Sequence, residues 1–285
     1  TEANAQAKTA ALNFVPVANL AAVGSSTSLS ISVKVEDEAL NVTKSKAVSI
    51  VSKNDRPNIT LPASNPEMND DVTKKIFASV TIVDPDPGDT QDVIITYDDR
   101  KGSFPDSASY TKTGSNATAK LTISDATVSA ANNLIQNLVF TPEANQVSVG
   151  QFENLSFNIK TTDEQSTTRN KDVTVKVTSV NEPPVVVSNG GSTAFTISAG
   201  GSVYPFSSVD VEDPDVETGG TGEGSSDPFT AEVELVRKAS PAGTMIGSIV
   251  SDSFQLKSGS TSIYTYTASI GVLQSKIRAI SYSAP

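Results

Sequence analysis

The chain has 285 residues, of which 6% are aromatic, so it is long enough for more than one domain and its buried core should be mostly aliphatic. It contains no cysteine, histidine or tryptophan, which excludes disulfide bonds, thiolate chemistry and proton transfer by imidazole at neutral pH. Its net charge is −11 and no basic stretch with interleaved aromatic residues occurs, which argues against nucleic acid as a partner.

No apolar run approaches the roughly 20 residues that span a bilayer, so we expect no membrane span in this sequence. The chain opens with neither an initiator methionine nor a signal sequence, and we interpret it as an excised or mature segment of a larger protein. Its acidic balance favours cations as binding partners.

The first predicted strands form a hairpin. Apolar and polar residues alternate in "LSISVKVEDE" (29–38), which is the period-2 pattern of a half-buried strand. "KAVSIVS" (46–52) follows across a polar loop and is predicted to pair with it. Asp37 stands at the end of the first of these strands.

The next predicted strand ends on a run of negative charge. "ASVTIV" (78–83) leads into "DPDPGD" (84–89), with three carboxylates and two prolines in six positions. Aspartate, proline and glycine are ordinary turn residues, so a solvated turn is one interpretation of this stretch. A cation site is the other, and we favour it because Asp-Pro-Asp recurs after an equivalent strand at residues 213–215.

One segment breaks the strand pattern. In "DATVSAANNLIQNLVF" (125–140), Leu134, Ile135 and Leu138 are spaced for one or two turns of helix. We predict a short helix that crosses between two sheets and places these side chains in the core.

A second predicted hairpin follows the helix. "LSFNIKTTDE" (155–164) alternates as the first strand does, carries Asp163 at its end, and precedes "DVTVKVTSV" (172–180) across a polar loop. Many short strands separated by Gly, Pro, Asn and Asp turns are typical of a β-sandwich.

The chain repeats itself. "ALNFVPVANLAAVG" (11–24) aligns without a gap on "NLVFTPEANQVSVG" (137–150), an offset of 126 residues. Further along, "VSIVSKNDRP" (48–57) parallels "VKVTSVNEPP" (175–184). Repetition at a fixed period indicates a tandem array of one structural unit.

A third copy follows residue 184. "SSVDVEDPD" (207–215) repeats "ASVTIVDPD" (78–86), and "LQSKIRAISYSAP" (273–285) parallels "LIQNLVFTP" (134–142). The longer spacing of this copy is explained by "VETGGTGEGSSDP" (216–228), a glycine-rich insertion in a loop.

We therefore predict an all-β protein of tandem Greek-key β-sandwich repeats, each with a short helical segment. Residues 1–56 would be the C-terminal part of a first repeat, residues 57–183 a complete repeat, and residues 184–285 a third repeat that is incomplete at its C-terminal end.

Carboxylates gather at the strand ends and at the linkers between these repeats. Neighbouring carboxylates repel by on the order of a few kcal/mol per pair near a protein surface, so a counter-ion is expected. Calcium takes about 6–8 oxygen ligands from carboxylates, amides and carbonyls and needs neither sulfur nor imidazole. We predict calcium as the cofactor.

At these residues the chain resembles the cadherin-like repeats of large bacterial surface proteins and adhesins. "DPD" at 84–86 and 213–215 is similar to the Asp-x-Asp pair that follows an early strand in cadherins. Asp37 and Asp163 are similar to the aspartate at the end of a later strand. "NDRP" and "NEPP" match the acidic linker between cadherin domains in part.

The resemblance implies a cadherin-like sandwich and a composite calcium site at each junction between repeats. The implied ligands are Asn54, Asp55, Asp84, Asp86 and Asp163 at the first junction, and Asn181, Glu182, Asp213 and Asp215 at the second. Glu67 is similar to the glutamate near a repeat's start that reaches its downstream linker, which here is the second. No Leu-Asp-Arg-Glu-like element is present and the linkers carry few carboxylates, so we expect one or two ions at each junction.

The function that follows is a non-enzymatic, secreted, extracellular repeat protein of a bacterial cell surface, a calcium-rigidified stalk or cell-adhesion segment whose first partners are the neighbouring repeats of its own chain. Paired carboxylates alone hydrolyse glycosides in some enzymes. A pair that recurs at repeat boundaries differs from an active site, which is usually unique and lies in a cleft.

Two alternatives stay open. A recognition module would hold cell-surface carbohydrate or protein with the loops of one repeat, and the insertion 216–228 is the feature that favours it. A filament subunit would complete the third repeat with the partial first repeat of another subunit by strand donation. Against the filament, residues 1–16 and 270–285 represent the same repeat segment, so the two parts overlap.

Overall fold

The structure, a computed structural model, describes most of the chain. The described residues are 8–188, 194–215, 229–234, 248–251, 253–260 and 262–283. The predicted glycine-rich insertion, residues 216–228, lies outside them.

Short strands dominate the described residues, as the alternation predicts. The first half of the strands is β1 Ser26–Glu36, β2 Asn41–Val51, β3 Asn58–Thr60, β4 Glu67–Asn69, β5 Thr81–Val83, β6 Thr90–Tyr97, β7 Gly102–Ser103, β8 Thr111–Thr113, β9 Ala119–Thr127 and β10 Thr141–Pro142. The second half is β11 Phe152–Asp163, β12 Thr168–Thr178, β13 Val185–Ser188, β14 Ser202–Val203, β15 Val209–Glu212, β16 Phe229–Glu234, β17 Ser248–Val250, β18 Gln255–Leu256, β19 Ile263–Ala268 and β20 Ser281–Ser283.

The predicted helical segments are present in both places where the repeat requires them. Helix α1 is Val128–Asn137 and helix α2 is Ile270–Arg278. The hydroxyl of Thr127 accepts from the N–H of Ala130 and so caps α1. Short 3₁₀ helices occur at Asp99–Lys101 and Asn116–Thr118.

The chain divides into two compact units. The first contains Thr1–Pro66, Thr73–Thr141 and Leu155–Val175, and the second contains Glu67–Val72, Pro142–Asn154 and Lys176–Pro285. Strands β11 and β12 pass from one unit into the other.

The first unit opens with the β1–β2 hairpin. Its strands are antiparallel with Leu29 opposite Val48 and Val35 opposite Val42. Most apolar residues of β1 are exposed here, since Ile31, Val33 and Val35 keep more than a third of their surface accessible.

The main sheet of the first unit has the order β12–β11–β6–β9–β8. In β6 and β11 one face is buried, as period-2 alternation requires, and Ile95 and Ile159 lie opposite each other at 0% exposure. β3 and β5 form a second, antiparallel sheet. Helix α1 contacts β5 of that sheet and β6 and β9 of the main sheet, so it crosses between the two layers as predicted.

Helix α1 is tied to β5 through polar side chains. Asn132 accepts from the N–H of Ile82 over 2.7 Å and donates to the carbonyl of the same residue over 2.8 Å. Gln136 donates to the carbonyl of Val80 over 2.9 Å. These bonds satisfy the backbone of an edge strand that the helix covers.

Aliphatic side chains make up most of the core of this unit, but five rings meet at its centre. Phe157 lies 5.1 Å from Phe140 and 5.5 Å from Phe77 between ring centroids, in edge-to-face geometry. Tyr97 and Phe104 form another edge-to-face pair at 5.1 Å. Such pairs contribute about 0.5–1.5 kcal/mol beyond their burial.

The second unit repeats part of this arrangement. Its sheets have the orders β14–β20–β17, β16–β19–β18 and β13–β15, and β4 runs parallel to the end of β12. The sequence β19–α2–β20 reproduces β9–α1–β10. Arg278 donates to the carbonyl of Val209 over 2.9 Å, as Gln136 does to Val80.

A buried cluster holds the second unit together. Its members are Val211, Phe254, Leu273, Ile277 and Ile280. Leu273 and Ile277 come from one face of α2, four residues apart, and β15 supplies Val211.

The repeat alignment also appears in the backbone. The N–H of Gly24 donates to the carbonyl of Ser52 over 3.0 Å, and the N–H of Gly150 donates to that of Ser179 over 2.9 Å. Both glycines have a positive φ, of 75° and 77°. Residues that align in sequence therefore make the same turn and the same hydrogen bond.

Candidate metal centres

The first candidate site is the loop between β5 and β6. Carboxylate oxygens of Asp84, Asp86 and Asp89 lie within 4.8 Å of one another. The N–H of Asp86 donates to Oδ1 of Asp84 over 3.0 Å, and Gly88 takes a left-handed φ of 89°, which folds the loop back on itself. Asp86 is 4% exposed and Asp89 is 7% exposed.

The linker that precedes β3 joins this loop. The N–H of Asp55 donates to Oδ2 of Asp86 over 2.6 Å. Asn54 donates through Nδ2 to Oδ2 of Asp163 over 3.1 Å and to the hydroxyl of Thr167 over 2.9 Å. Asp163 ends β11 and is 5% exposed. The structure therefore gathers the first-junction residues in one place, with Asp55 contributing through its backbone.

A polar chain fixes the orientation of Asp84. The buried amide of Gln91 donates through Nε2 to Oδ2 of Asp84 over 2.7 Å. Its Oε1 accepts from the hydroxyl of Thr161 over 2.8 Å, which sets which end of the amide faces the carboxylate.

Asp89 is a site residue that the sequence reasoning missed. Burial raises the pKa of Asp89 to about 6, and the negative charge of Asp84 acts in the same direction. Glu164, Asp86 and Asp163 add further repulsion. The signal was present in "DPDPGD", since Asp89 is the third carboxylate of that motif.

Among the described residues, no hydrogen-bond donor reaches several buried oxygens around this cluster. They are Oδ1 of Asn54, Oδ1 of Asp86 and Oδ2 of Asp89. A buried acceptor left unpaired costs about 1–3 kcal/mol, and more when it is charged. The amide oxygen of Asn54 is always an acceptor, and the two carboxylate oxygens are acceptors when ionised. A hard cation therefore fits this set of oxygens.

The second candidate site lies in the second unit and has the same hydrogen bonds. The N–H of Glu182 donates to Oδ2 of Asp215 over 2.7 Å. The N–H of Asp215 donates to Oδ1 of Asp213 over 3.0 Å. Asp215 is 1% exposed. Oδ1 of Asp215 and both carboxylate oxygens of Glu182 are buried, and no donor from the described part of the chain reaches them.

Glu182 is the carboxylate of this second site whose pKa is clearly raised. Burial raises the pKa of Glu182 to about 7, and the adjacent carboxylate of Asp215, with which it can share a proton, acts in the same direction. Asp70 and Asp71 add further repulsion. When Glu182 is ionised, no donor from the described residues lies between the two carboxylates, so they repel each other.

Asp70 is the second residue that the sequence reasoning missed. It is 6% exposed, and its carboxylate accepts from the N–H of Val180 over 3.0 Å and from the N–H of Asn145 over 2.9 Å. Asn145 in turn donates to the carbonyl of Pro214 over 2.7 Å, and its own Oδ1 is buried without a donor. The sequence carried a signal for Asn145, which aligns with Asn19, but none for Asp70.

Three of the predicted ligands make other contacts. Glu67 lies on β4 with its carboxylate 3.5 Å from Nζ of Lys176 and 68% of its side chain exposed. Asp37 accepts from the N–H groups of the β1–β2 turn, at Ala39 and Leu40, which lowers its pKa. Asn181 is exposed and donates to the carbonyl of Glu182 over 3.4 Å.

No helix in the described part of the chain combines the length and the apolar character needed to cross a membrane.

No protein-family model matches the chain, and no curated protein matches it. Among solved structures it is similar to protocadherin gamma B7 extracellular cadherin domains 1–4, with 13% identity and a TM-score of 0.28 over 86% of this chain and 49% of that chain. It is also similar to protocadherin gamma B2 extracellular cadherin domains 1–5, with 12% identity and a TM-score of 0.27 over 85% and 39%.

The chain spans less than half the length of these two structures. The strands and sheets of the described residues show an all-β protein with short helical segments.

Proposed function

We propose that this protein is a non-enzymatic extracellular repeat protein whose repeat junctions bind calcium and thereby become stiff. In this role it is a stalk or adhesive segment of a larger protein on a bacterial cell surface. The observation that carries the proposal is that two carboxylate sites, far apart in sequence, share the same pair of hydrogen bonds and the same kind of unpaired buried oxygens.

Recurrence of the site supports a structural role over catalysis. An active site is usually unique and lies in a concave pocket, whereas these carboxylates occur at both linkers. We also propose that the chain contains parts of three repeats, with boundaries after residues 56 and 183.

The donor chemistry supports calcium. Carboxylate, amide and backbone oxygens are the ligands that calcium prefers, and its flexible coordination of about 6–8 oxygens tolerates irregular loops. At the first junction the ion would be held by Asn54, Asp84, Asp86, Asp89 and Asp163, with Asp55 of the linker beside them. At the second it would be held by Glu182, Asp213 and Asp215, with Asp70 and Asn145 close by.

Calcium would stiffen the junction because each site joins a linker to a loop of the following repeat. The Asn54–Asp55 linker meets the loop at Asp86, and the Glu182 linker meets the loop at Asp215. Binding to the folded arrangement alone stabilises it by mass action, about 2.7 kcal/mol per site when free calcium is a hundredfold above Kd.

The test compares calcium with a chelator on the purified chain. Metal analysis after dialysis, thermal melting and small-angle X-ray scattering should show bound calcium, a higher Tm and a narrower distribution of dimensions when calcium is present. Magnesium at the same concentration is the control, because its octahedral preference and tight hydration suit these sites poorly. No bound calcium, with the same Tm and the same maximum dimension in chelator, would contradict the proposal.

The Asp86→Ala variant tests the first junction in particular. We expect it to lose calcium from one class of sites and to retain the other, because the second junction has its own aspartates. Loss of both classes at once would mean that the two sites are not independent junctions.

A further inference from the structure

Two polar side chains are fully buried behind the first candidate site. Gln91 lies on β6 and Thr161 on β11, and both are 0% exposed. They stand at inward positions of their strands, in line with the core residues Ile95 and Ile159. A polar group at a core position costs free energy unless it is hydrogen-bonded, so both side chains need well-placed partners.

The register of the sheet brings this pair together beside Asp84. Asp163 lies opposite Gln91 across β6 and β11, and Thr161 is therefore the diagonal neighbour of Gln91. The hydroxyl of Thr161 donates to Oε1 of Gln91 over 2.8 Å, and Nε2 of Gln91 donates to Oδ2 of Asp84 over 2.7 Å. Because only the oxygen end of an amide accepts, the hydroxyl of Thr161 holds the N–H groups of Gln91 towards the carboxylate.

Strands that align with β6 and β11 carry apolar residues at these two positions. In the alignment of residues 29–38 on 155–164, Thr161 corresponds to Val35. Gln91 corresponds to Phe229 by register, since each pairs with the alanine that stands two residues before the helix of its own unit. The strand pattern itself thus calls for no polar pair, and the position of Asp84 supplies a reason for one.

We infer that Gln91 is a positioning residue of the first calcium site and that Thr161 acts through it, an inference that rests on the function proposed above. Asp84 accepts from the N–H of Asp86 at Oδ1 and from Gln91 at Oδ2. Two donors on different oxygens fix the plane of the carboxylate before a cation arrives. Each oxygen keeps a further lone pair with which to bind the ion.

Without Gln91 the carboxylate of Asp84 would be held at one oxygen only. Asp84 is half-buried, so it could then turn towards water and away from Asp86 and Asp89. Groups that hold a metal ligand in place are typically worth about 10–100-fold in metal affinity. A pair that only stabilised the sheet would instead contribute equally with and without calcium.

The Gln91→Met variant tests this role by calorimetric titration of the full chain with calcium. Methionine is of similar length and cannot donate to Asp84, so one class of sites should weaken about tenfold or more while the other stays unchanged. Gln136→Met is the matched control, because Gln136 donates to the carbonyl of Val80 and not to a carboxylate of the site. It should leave calcium affinity unchanged even where it lowers the Tm in chelator.

Variants of Thr161 test whether this hydroxyl acts through Gln91. Thr161→Val should weaken the same class of sites several-fold, and Thr161→Ser should restore it, because serine keeps the hydroxyl. A Gln91→Met, Thr161→Val double variant should bind calcium no more weakly than Gln91→Met alone. This series also decides the case if Gln91→Met does not fold.

Hydrogen exchange of the Gln91 side-chain amide, followed by NMR in chelator, provides a readout without calcium. The amide protons should exchange slowly in the unmodified chain and about tenfold faster or more in Thr161→Val, because the amide is then free to turn. Equal exchange in the two proteins would contradict the orienting role of Thr161.

The outcomes separate this inference from the proposed function. If the unmodified chain binds calcium and Gln91→Met changes its affinity no more than Gln136→Met does, the inference is overturned and the proposed function stands. Additive effects of Gln91→Met and Thr161→Val would overturn the role of Thr161. If the unmodified chain binds no calcium, both the inference and the proposed function are wrong.

Discussion

The backbone N–H of Asp55 donates to Oδ2 of Asp86 over 2.6 Å. In the second unit Glu182 and Asp215 make the same bond over 2.7 Å. In each case a linker residue fixes one oxygen of the central aspartate, while the other oxygen is buried and receives no donor from the residues that the structure describes. The linker thus orients the carboxylate towards the position where a cation would bind.

Neutralising Asp89 should have opposite effects with and without calcium. In chelator, Asp89→Asn should raise the Tm, because it removes a buried charge that repels Asp84. With calcium, it should weaken one class of sites about tenfold or more, since each 1.4 kcal/mol of lost attraction is a factor of ten. Calorimetric titration and thermal melting measure the two effects.

Asp106→Asn is the matched control for Asp89, since Asp106 is 92% exposed and pairs with Lys112. It should leave calcium affinity unchanged. If Asp89→Asn instead lowers the Tm in chelator, the prediction is wrong and Asp89 is not destabilised by the charge of Asp84.

The chelated protein should become less stable as the pH rises from the ordinary pKa values of two buried carboxyls towards neutrality. The folded-state pKa values of Asp89 and Glu182 are raised to about 6 and about 7, above the ordinary values of 3.8 and 4.5. A carboxyl whose pKa is raised by folding stabilises the fold while protonated, so this contribution is present below its ordinary pKa and is lost as the pH passes its folded value. Melting in chelator from pH 5 to 8 measures the trend.

The Asp89→Asn, Glu182→Gln double variant is the control for this pH dependence, because neither side chain can then titrate. It should show a flatter Tm profile between pH 5 and 8. Calcium should raise the Tm most at the alkaline end, where both carboxylates are ionised. A Tm in chelator that falls across this range as steeply in the double variant as in the unmodified chain would contradict the assignment.

The aromatic centre of the first unit should dominate its stability. Phe157→Ala should cost about 3–5 kcal/mol of unfolding free energy, because it removes a fully buried ring that contacts four others. Phe152→Ala, on the same strand but 53% exposed, should cost far less. Urea unfolding of the two variants measures these free energies. Equal losses of unfolding free energy in the two variants would contradict the central role of Phe157 in the core.

The side chain of Asn132 should be essential to the packing of α1. Asn132→Ala leaves the N–H and the carbonyl of Ile82 without their partners, which should cost about 1–3 kcal/mol. Asn133→Ala is the control, because Asn133 is the next residue of the same helix and its side chain accepts from Asn137 of that helix. Hydrogen exchange at Ile82 should accelerate in the first variant and not in the second.

Local patterns made much of the fold predictable. Alternation over residues 29–38 and 155–164 predicted β1 and β11, and the spacing of Leu134, Ile135 and Leu138 predicted α1. Such patterns depend only on neighbouring residues, because the periods of strand and helix decide which side chains share a face. The aspartates that follow β5 and β15 could also be predicted, because they recur in two sequence segments that align with each other.

The tertiary structure decided which carboxylates meet. Glu67 and Asp70 are three residues apart, yet Glu67 lies beside Lys176 on the exposed face of β4, whereas Asp70 follows the strand and accepts from Val180 and Asn145. The different surroundings of these two residues depend on the register of β4 against β12. That register cannot be predicted from the residues next to them in sequence.

The sequence by itself determined the long strands at residues 29–38 and 155–164, the helical segments and the positions where acidic residues end a strand, because all of these follow from short-range periodicity and self-similarity. Only the tertiary structure decided that Asp89 joins Asp84 and Asp86, and that Asp70 lies close to Glu182. Burial and hydrogen-bond partners are set by contacts between residues distant in sequence, and those contacts exist only once the chain has folded.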